Sequence, residues 1–129
     1  MFKNAKNTKQ QGNIGISSAI LYYTKLGYCV SLPLNDSQDY DLVVDKDNTL
    51  FKVQVKTTSC VKPSGSFAVE LRNKGGTSGI QYSTTSDGSS GILFILCMDG
   101  SMYEIPKEVY KDIKSSITLG TQYQKYRVS

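Results

Sequence analysis

The chain opens with apolar positions at helical spacing. From residue 8 to residue 26, apolar side chains recur every three or four residues, as on the buried face of an amphipathic helix. They are Ile16, Ala19, Ile20, Tyr23 and Leu26. The sequence Thr8-x-x-Gln11 is typical of a capping box, and Gly27 is a common C-terminal stop. The pattern predicts a helix from Thr8 to about Leu26.

Alternating patterns then predict strands. Residues 28–34 (YCVSLPL) predict a strand with Val30, Leu32 and Leu34 on one face, and Pro33 indicates a sheet edge or a strand end. Residues 40–59 predict a hairpin. Residues 66–72 (SFAVELR) predict a strand with alternating apolar positions, which are Phe67, Val69 and Leu71.

The second half of the chain contains one continuous apolar run. Residues 91–98 (GILFILCM) favour a strand buried on both faces, and Asp99-Gly100 predicts a tight turn into the strand SMYEI. Pro106 suits the first residue of a short helix reaching about Lys114. From Ser115 the tail is polar and carries no predicted element.

The predicted order is a helix, four strands, a loop, two strands and a helix. Strands that do not alternate strictly with helices favour an α+β or mixed-sheet α/β fold. The length of 129 residues suits a single domain, residues 1–129.

Composition excludes several classes of function. The chain has no histidine, which excludes Ser-His and Cys-His nucleophile pairs and histidine metal ligands. Its net charge of +4 permits an anionic partner such as nucleic acid. No apolar run approaches a membrane span, and residues 1–11 lack the apolar core of a signal peptide. We therefore expect no membrane partner.

The cysteines bear on cellular location. Cys29, Cys60 and Cys97 are odd in number and far apart, which argues against a disulfide framework and favours a reducing, cytoplasmic location. Each is predicted to be a small core residue.

The hairpin places polar side chains on one face. A turn centred on Asp47-Asn48 gives partners whose numbers sum to 95, so Leu42 faces Val53 and Val44 faces Phe51. The same register sets Asp41 opposite Gln54, with Lys56 one step beyond, and such cross-strand Cβ atoms lie about 5 Å apart.

Two interpretations of this face are open. One is a solvated polar surface with chance pairings. The other is a divalent-metal site for phosphodiester hydrolysis, in which Asp41 gives a carboxylate, Gln54 an amide oxygen and Val55 its main-chain carbonyl. Lys56 would then polarise the attacking water or stabilise charge on the phosphate.

Asp41 followed by Gln54-Val55-Lys56 resembles the PD-(D/E)-x-K nuclease signature, with Gln in place of the second acid. The stretches NTKQQGNIG, KLGYCVSLPL, YDLVVD, KVQVKT and MYEIP extend the resemblance over about residues 7–106. They are similar to group I intron-associated homing endonucleases of this superfamily. The resemblance implies a restriction-endonuclease-like core with flanking helices, and double-stranded DNA cleavage with Mg²⁺, for which Mn²⁺ substitutes. It also implies a homodimer or homotetramer on DNA.

One position departs from the pattern. Many relatives carry Glu in the first helix where this chain has Ile16, which the apolar stripe predicts to be core. Asp41 is then the one assured carboxylate. Glu70, on the polar face of the next predicted strand, is the nearest other candidate for an acidic metal ligand. Asp36 and Asp39 are more typical of turn formers.

DNA contacts are predicted on basic and polar side chains along the strands and the Gly- and Ser-rich residues 73–90, a loop long enough to be functional or disordered. They are Lys52, Lys62, Arg72, Asn73, Lys74, Gln81 and Tyr82. Two alternatives stay open at this point. One is a Holliday-junction resolvase of the same fold, and the other is a catalytically weak or inactive DNA-binding module.

Overall fold

A five-stranded mixed sheet forms the centre of the molecule. The structure, a computed structural model, describes residues 1–35, 38–73, 81–82, 91–113 and 115–129. Its strands in chain order are β1 (Cys29–Ser31), β2 (Leu42–Lys46), β3 (Thr49–Thr58), β4 (Ala68–Glu70), β5 (Arg72–Asn73), β6 (Gln81–Tyr82), β7 (Gly91–Cys97), β8 (Met102–Pro106) and β9 (Ser116–Thr118). The central order is β1-β2-β3-β7-β8, with β3 and β7 parallel and the other pairs antiparallel. The predicted mixed-sheet α/β class is confirmed.

The first helix, α1, spans Thr8–Lys25. Its N-cap is Asn7, whose side chain accepts the N–H of Gln10 at 2.9 Å. The predicted Thr8 capping box was therefore wrong by one residue, because an asparagine at residue 7 supplies the acceptor first. Gly27 has φ 87° and ends the helix as predicted.

One face of α1 packs on the sheet. Ala19 and Tyr23 are buried, and Ile16 and Ile20 are partly buried against the same core. Leu26 is half exposed, at 51%, because the helix ends at Lys25 and the chain turns away. The prediction that Leu26 belongs to the buried stripe was wrong.

The sheet has a core on each of its faces. On the α1 side the core contains Leu42, Val44, Val53, Ile92 and Phe94. On the opposite side, the buried cluster contains Val69, Leu71, Leu93, Ile95, Ile105 and Ile117. β7 contributes alternately to both, and all seven of its residues are buried, as its continuous apolar run predicted. β3 lies beside β7, so its odd-numbered side chains face α1 and its even-numbered side chains face the opposite layer.

The layer opposite α1 comes from β4 and the C-terminal tail. β9 pairs antiparallel with β4, and the tail continues into a 3₁₀ helix at Thr121–Tyr126. Ile117 and Leu119 are both buried. The prediction of a tail without elements was wrong, because these alternating apolar residues close the second core.

Short elements complete the fold. β1 is an edge strand that ends before Pro33, but Leu32 and Leu34 are exposed, so the predicted apolar face continues only as far as Val30. The second helix, α2 (Lys107–Tyr110), has Pro106 as its N-cap and is shorter than predicted. Its expected end, Lys114, lies outside the described residues.

Arg72–Asn73 pairs with Gln81–Tyr82 as a two-stranded ribbon, the β5–β6 ribbon. Of the predicted loop 73–90, residues 74–80 and 83–90 lie outside the described part of the chain.

All three cysteines are free. Cys97 is buried, whereas Cys29 and Cys60 are exposed, which corrects their predicted place in the core. In the described part of the chain, none of the helices has the length and hydropathy of a bilayer span.

Candidate active site

The hairpin of β2 and β3 follows the predicted register. Leu42 pairs with Val53 and Val44 with Phe51, which confirms partner numbers that sum to 95. The two turn residues both have positive φ, 51° at Asp47 and 70° at Asn48, as a two-residue turn of the I′ type requires. This tight turn fixes which residues of the two strands meet.

Asp41 is the residue directly before β2 and its ladder with β3. Its main-chain N–H donates to the carbonyl of Val53 at 2.8 Å, and its Oδ2 accepts the N–H of Val55 at 2.7 Å. Regular pairing begins one residue later, at Leu42. Asp41 is thus held by main-chain groups on both sides of Gln54, and not by a ladder pair with Gln54 itself.

The Gln54 side chain carries an unpartnered oxygen. Its Oε1 is buried and accepts no hydrogen bond from any described residue. A buried acceptor without a donor costs about 1–3 kcal/mol, so this oxygen is suited to a ligand that replaces water. In a β-strand the N–H and C=O of one residue point to the same side, so the Val55 carbonyl also lies on the Asp41 side.

These oxygens meet the requirements of a hard divalent cation. Mg²⁺ is bound in proteins by one or two carboxylates, with waters and substrate oxygens completing its shell. One carboxylate, one unpartnered amide oxygen and one main-chain carbonyl fit that description. Within the described residues, no three Asp, Glu, Cys or His side chains converge as a metal cluster.

Lys56 and Asp41 influence each other's charge. Burial lowers the pKa of Lys56, and the charges of Asp41 and Glu70 oppose that shift. Burial likewise raises the pKa of Asp41, against the hydrogen bond from Val55 and the charge of Lys56. A partly dehydrated ammonium beside a partly dehydrated carboxylate is typical of a catalytic site.

A groove opens beside the end of β3. It has a volume of about 520 Å³, and we refer to it as the hydroxyl-lined groove. Its walls come from α1, β3, β4 and β9, with the residues Gln11, Thr57, Thr58, Ser59, Cys60, Lys62, Ala68, Val69, Glu70, Ser115 and Ser116. Glu70 is exposed here. On β3 the groove lining begins at Thr57, the residue after Lys56 in the sequence, and does not include Asp41, Gln54 or Lys56.

The predicted DNA contacts that fall in described residues are on β3, at the groove and in the β5–β6 ribbon. Lys52 is on the Gln54 face of β3, with its ammonium 5.3 Å from the ring centroid of Tyr40. Lys62 is exposed at the groove. The other predicted contacts are in the β5–β6 ribbon (Arg72, Asn73, Gln81 and Tyr82) or, for Lys74, outside the described residues.

Two further positions concern the predicted acids. Ile16 packs against the core on the α1 side, as its apolar stripe predicted. Asp39 is exposed, and Asp36 lies outside the described residues.

Sequence reasoning missed the residues that follow Lys56. Thr57, Thr58 and Ser59 form a run of hydroxyls directly after the Gln-x-Lys motif, and Gln11 donates from α1 to the Thr57 hydroxyl at 3.0 Å. The hydroxyl run was a visible signal. Gln11 was interpreted only as a helix cap, because its partner is 46 residues away.

Comparisons with known proteins bear on the family and the fold. A family model described as PD-(D/E)XK endonuclease matches residues 6–128. Over 74 residues the chain is 38% identical to "Protein 5.3" of Escherichia phage T7, which is 57% of this chain and 59% of that protein. The chain therefore matches about three fifths of that relative's length.

The solved structure of a bacterial homing endonuclease, I-Ssp6803I, is also similar. It superposes with a TM-score of 0.71 at 26% sequence identity, over 94% of this chain and 87% of that one.

Proposed function

The chain belongs to the PD-(D/E)XK endonuclease family, and from that premise we propose that it is a site-specific endonuclease of double-stranded DNA that uses Mg²⁺. The observation that carries the proposal is the buried, unpartnered Oε1 of Gln54, on the strand that carries Lys56 and binds Asp41 through the Val55 N–H. The resemblance to the PD-(D/E)-x-K signature and the bond from the Val55 N–H to Asp41 support these three residues. The homing activity named for I-Ssp6803I supports a defined target sequence.

Asp41, Gln54 and the Val55 carbonyl would hold the ion, and Mn²⁺ is expected to replace Mg²⁺. When bound, the ion supplies positive charge that neutralises a phosphate oxygen and lowers the pKa of water. The hydrogen bond from Val55 keeps Asp41 oriented without a second acid. This bond also fixes the spacing between the carboxylate and β3.

Lys56 acts on the phosphate. Its ammonium is partly buried, so its charge is weakly screened and interacts strongly with charge that develops in the transition state. The lowered pKa also makes it a better proton donor than an exposed lysine. We assign it the stabilisation of the phosphate and of the leaving oxygen.

Binding and assembly are part of the proposal. Lys52, Lys62 and the β5–β6 ribbon would contact the duplex, and the ribbon is the candidate for base recognition in a groove. Each chain carries one such site, so cutting both strands at one place favours a homodimer or a homotetramer with two-fold symmetry. The free cysteines are compatible with the predicted cytoplasmic location.

A second candidate is a DNA-binding module with little or no catalysis. It is favoured by the lack of a three-acid cluster in the described residues and by the apolar Ile16 on α1. The two candidates share a DNA surface and differ in the fate of the phosphodiester bond.

The test is a map of breaks. The protein is incubated with a genomic DNA library and Mg²⁺, and the ends are sequenced. Breaks at one or a few sequences support the proposal. Cutting confined to branched junctions would indicate the resolvase alternative, and sequence-selective retention of DNA without breaks would indicate the binding module.

Lys56→Met identifies the site responsible. Methionine keeps the half-buried stem but removes the ammonium, so the fold should survive while cleavage is lost. Lys9→Ala, which removes an exposed ammonium from the first turn of α1, is the matched control and should cut normally. Equal cleavage by wild type and Lys56→Met would show that the assignment of Lys56 is wrong.

A further inference from the structure

Helix α1 packs tightly against β3 at Gly15. A Cβ added there would lie 2.6 Å from Thr57 Cγ2 and 3.2 Å from Val55 Cγ1. Side chains essentially never come as close as the first of these distances. Glycine is disfavoured inside helices, so its presence here reflects the need for close packing at this point.

A hydrogen bond joins the same two elements one turn earlier. Gln11 Nε2 donates to Thr57 Oγ1 at 3.0 Å, and Gln11 and Gly15 are four residues apart on one helix face. On the opposite face of β3, the Thr58 hydroxyl donates to the carbonyl of Ala68. The strand is therefore fixed on both faces directly after Lys56.

Val55 connects the packing of α1 on β3 to the Asp41 carboxylate. Its side chain faces Gly15, while its N–H donates to Asp41 Oδ2 at 2.7 Å. The spacing between α1 and β3 therefore bears on the distance between the Val55 main chain and the Asp41 carboxylate.

The helix has little freedom to slide away from a clash. Two turns further on, the Tyr23 hydroxyl donates to Glu104 Oε2 at 2.5 Å, and Lys46 pairs with the same carboxylate at 3.4 Å. These contacts tie α1 to β2 and β8. A bulkier residue at position 15 would displace β3 locally.

We propose that Gly15 and Gln11 are positioning residues for cleavage, which hold β3 so that the Val55 carbonyl and Lys56 are in register with Asp41. The inference rests on the proposed function and adds two residues of α1 to it. Neither residue touches the phosphate, and both act through Thr57 and Val55.

The chain provides a matched control in the same helix. Gly12 has nothing within 4 Å of its added Cβ, so Gly12→Ala introduces the same methyl group without a contact. It should raise the melting temperature through helix propensity and leave the rate of cleavage unchanged.

Gly15→Ala is the test, measured as kcat, KM and DNA Kd with saturating Mg²⁺. A displacement near the reacting groups lowers kcat by about 100-fold, while DNA Kd stays at the wild-type value. Thr57→Ser removes Cγ2 but keeps the hydroxyl that accepts from Gln11. In the Gly15→Ala background, Thr57→Ser should bring kcat back to within about twofold of Thr57→Ser alone.

Gln11→Met supplies an independent variant should Gly15→Ala fail to fold. It removes one hydrogen bond without adding bulk, and it should lower kcat by about fivefold. Wild-type kcat in both variants would overturn the proposal, as would a loss in Gly15→Ala that Thr57→Ser does not relieve.

Amide hydrogen exchange separates this inference from the proposed function. Even if the wild type cut no DNA, Gly15→Ala should speed exchange of the Val55 amide relative to the amides of β7, and Gly12→Ala should not. Unchanged Val55 exchange in folded Gly15→Ala would overturn the inference, whatever the activity.

Discussion

At the scale of single residues, Gln54 has a buried side-chain oxygen that accepts no hydrogen bond. An amide oxygen offers a dipole where most metal sites have a charge, so it binds Mg²⁺ more weakly than a carboxylate does. Without an ion, its Oε1 is buried and unpartnered. Replacing this amide with a carboxylate should therefore have opposite effects on stability with and without metal.

Gln54→Glu should lower the melting temperature in EDTA, because a buried carboxylate near Asp41 adds desolvation and repulsion. Excess Mg²⁺ or Mn²⁺ should reverse the loss, since a ligand that binds only the folded state stabilises it. The rise in melting temperature on adding metal should be larger in the variant than in wild type.

Gln122→Glu is the control for that experiment. Gln122 is exposed in the 3₁₀ helix, so the same charge is added away from the site. Its metal-induced rise should equal that of wild type. An equal rise in Gln54→Glu would place Gln54 outside the metal shell.

Asp41→Asn should stabilise the metal-free protein at neutral pH. Burial raises the folded-state pKa of Asp41 above its ordinary value of 3.8. The stability linked to this group is therefore fully present below 3.8 and lost as pH rises through the folded-state pKa. Asparagine removes that penalty and can still accept the Val55 N–H.

Chemical unfolding of Asp41→Asn and wild type in EDTA, from pH 3 to pH 8, measures the effect. The stability difference should grow with pH, and the variant should show no cleavage and no stabilisation by Mg²⁺. A variant less stable than wild type at pH 7 would mean that the attraction between Asp41 and Lys56 outweighs the burial of the carboxylate.

The identities of the site residues were accessible from sequence, but their environment was not. Strand alternation and the turn position predicted that Asp41, Gln54 and Lys56 share a region of the hairpin. The departure of Asp41 from the ladder depends on where β2 begins. The unpartnered state of Gln54 depends on the layer that covers it, which comes from distant parts of the chain.

At the scale of elements, substitutions in the β2–β3 turn are expected to change the stability of the fold without changing cleavage. Asp47 and Asn48 both have positive φ, a conformation that costs an ordinary L-residue roughly 1–2 kcal/mol and costs asparagine less. The turn is six residues from Asp41, about 20 Å along an extended strand.

Asn48→Ala should lower the free energy of unfolding by about 1 kcal/mol, whereas Asn48→Gly should preserve or raise it. Both keep the N–H that donates to Asp45 Oδ1 at 3.0 Å. Urea denaturation measures stability, and cleavage at a temperature where each variant is folded should match wild type. A cleavage defect in Asn48→Gly would show that the turn also sets the site.

Strong periodic patterns predicted the elements they govern. The β2–β3 register and the buried β7 followed directly from alternation and from a continuous apolar run. The predictions failed for elements that form only through tertiary contacts. Ile117 and Leu119 are too few to indicate a strand alone, and β9 exists because β4 supplies its partner.

At the scale of the whole molecule, β3 is the point where both layers meet. α1 contacts it on one face and β4 on the other, and the candidate site lies where β2 begins beside it. Packing of the two layers and geometry of the site are therefore coupled. The proposed contacts with DNA depend on a different property, the placement of basic side chains such as Lys62 at the hydroxyl-lined groove.

DNA affinity should fall linearly with log salt, by about 0.9 log unit per phosphate neutralised. Lys62 is exposed at the groove, so Lys62→Ala should reduce the slope by about 1. Arg72→Ala and Lys74→Ala should act in the same direction.

Lys25→Ala, in the last turn of α1 and about 20 Å along the helix from Gln11, is the matched control and should keep the wild-type slope. Fluorescence anisotropy with Ca²⁺ in place of Mg²⁺ measures Kd at each salt concentration. Equal slopes for Lys62→Ala and Lys25→Ala would mean that the duplex does not cross the groove.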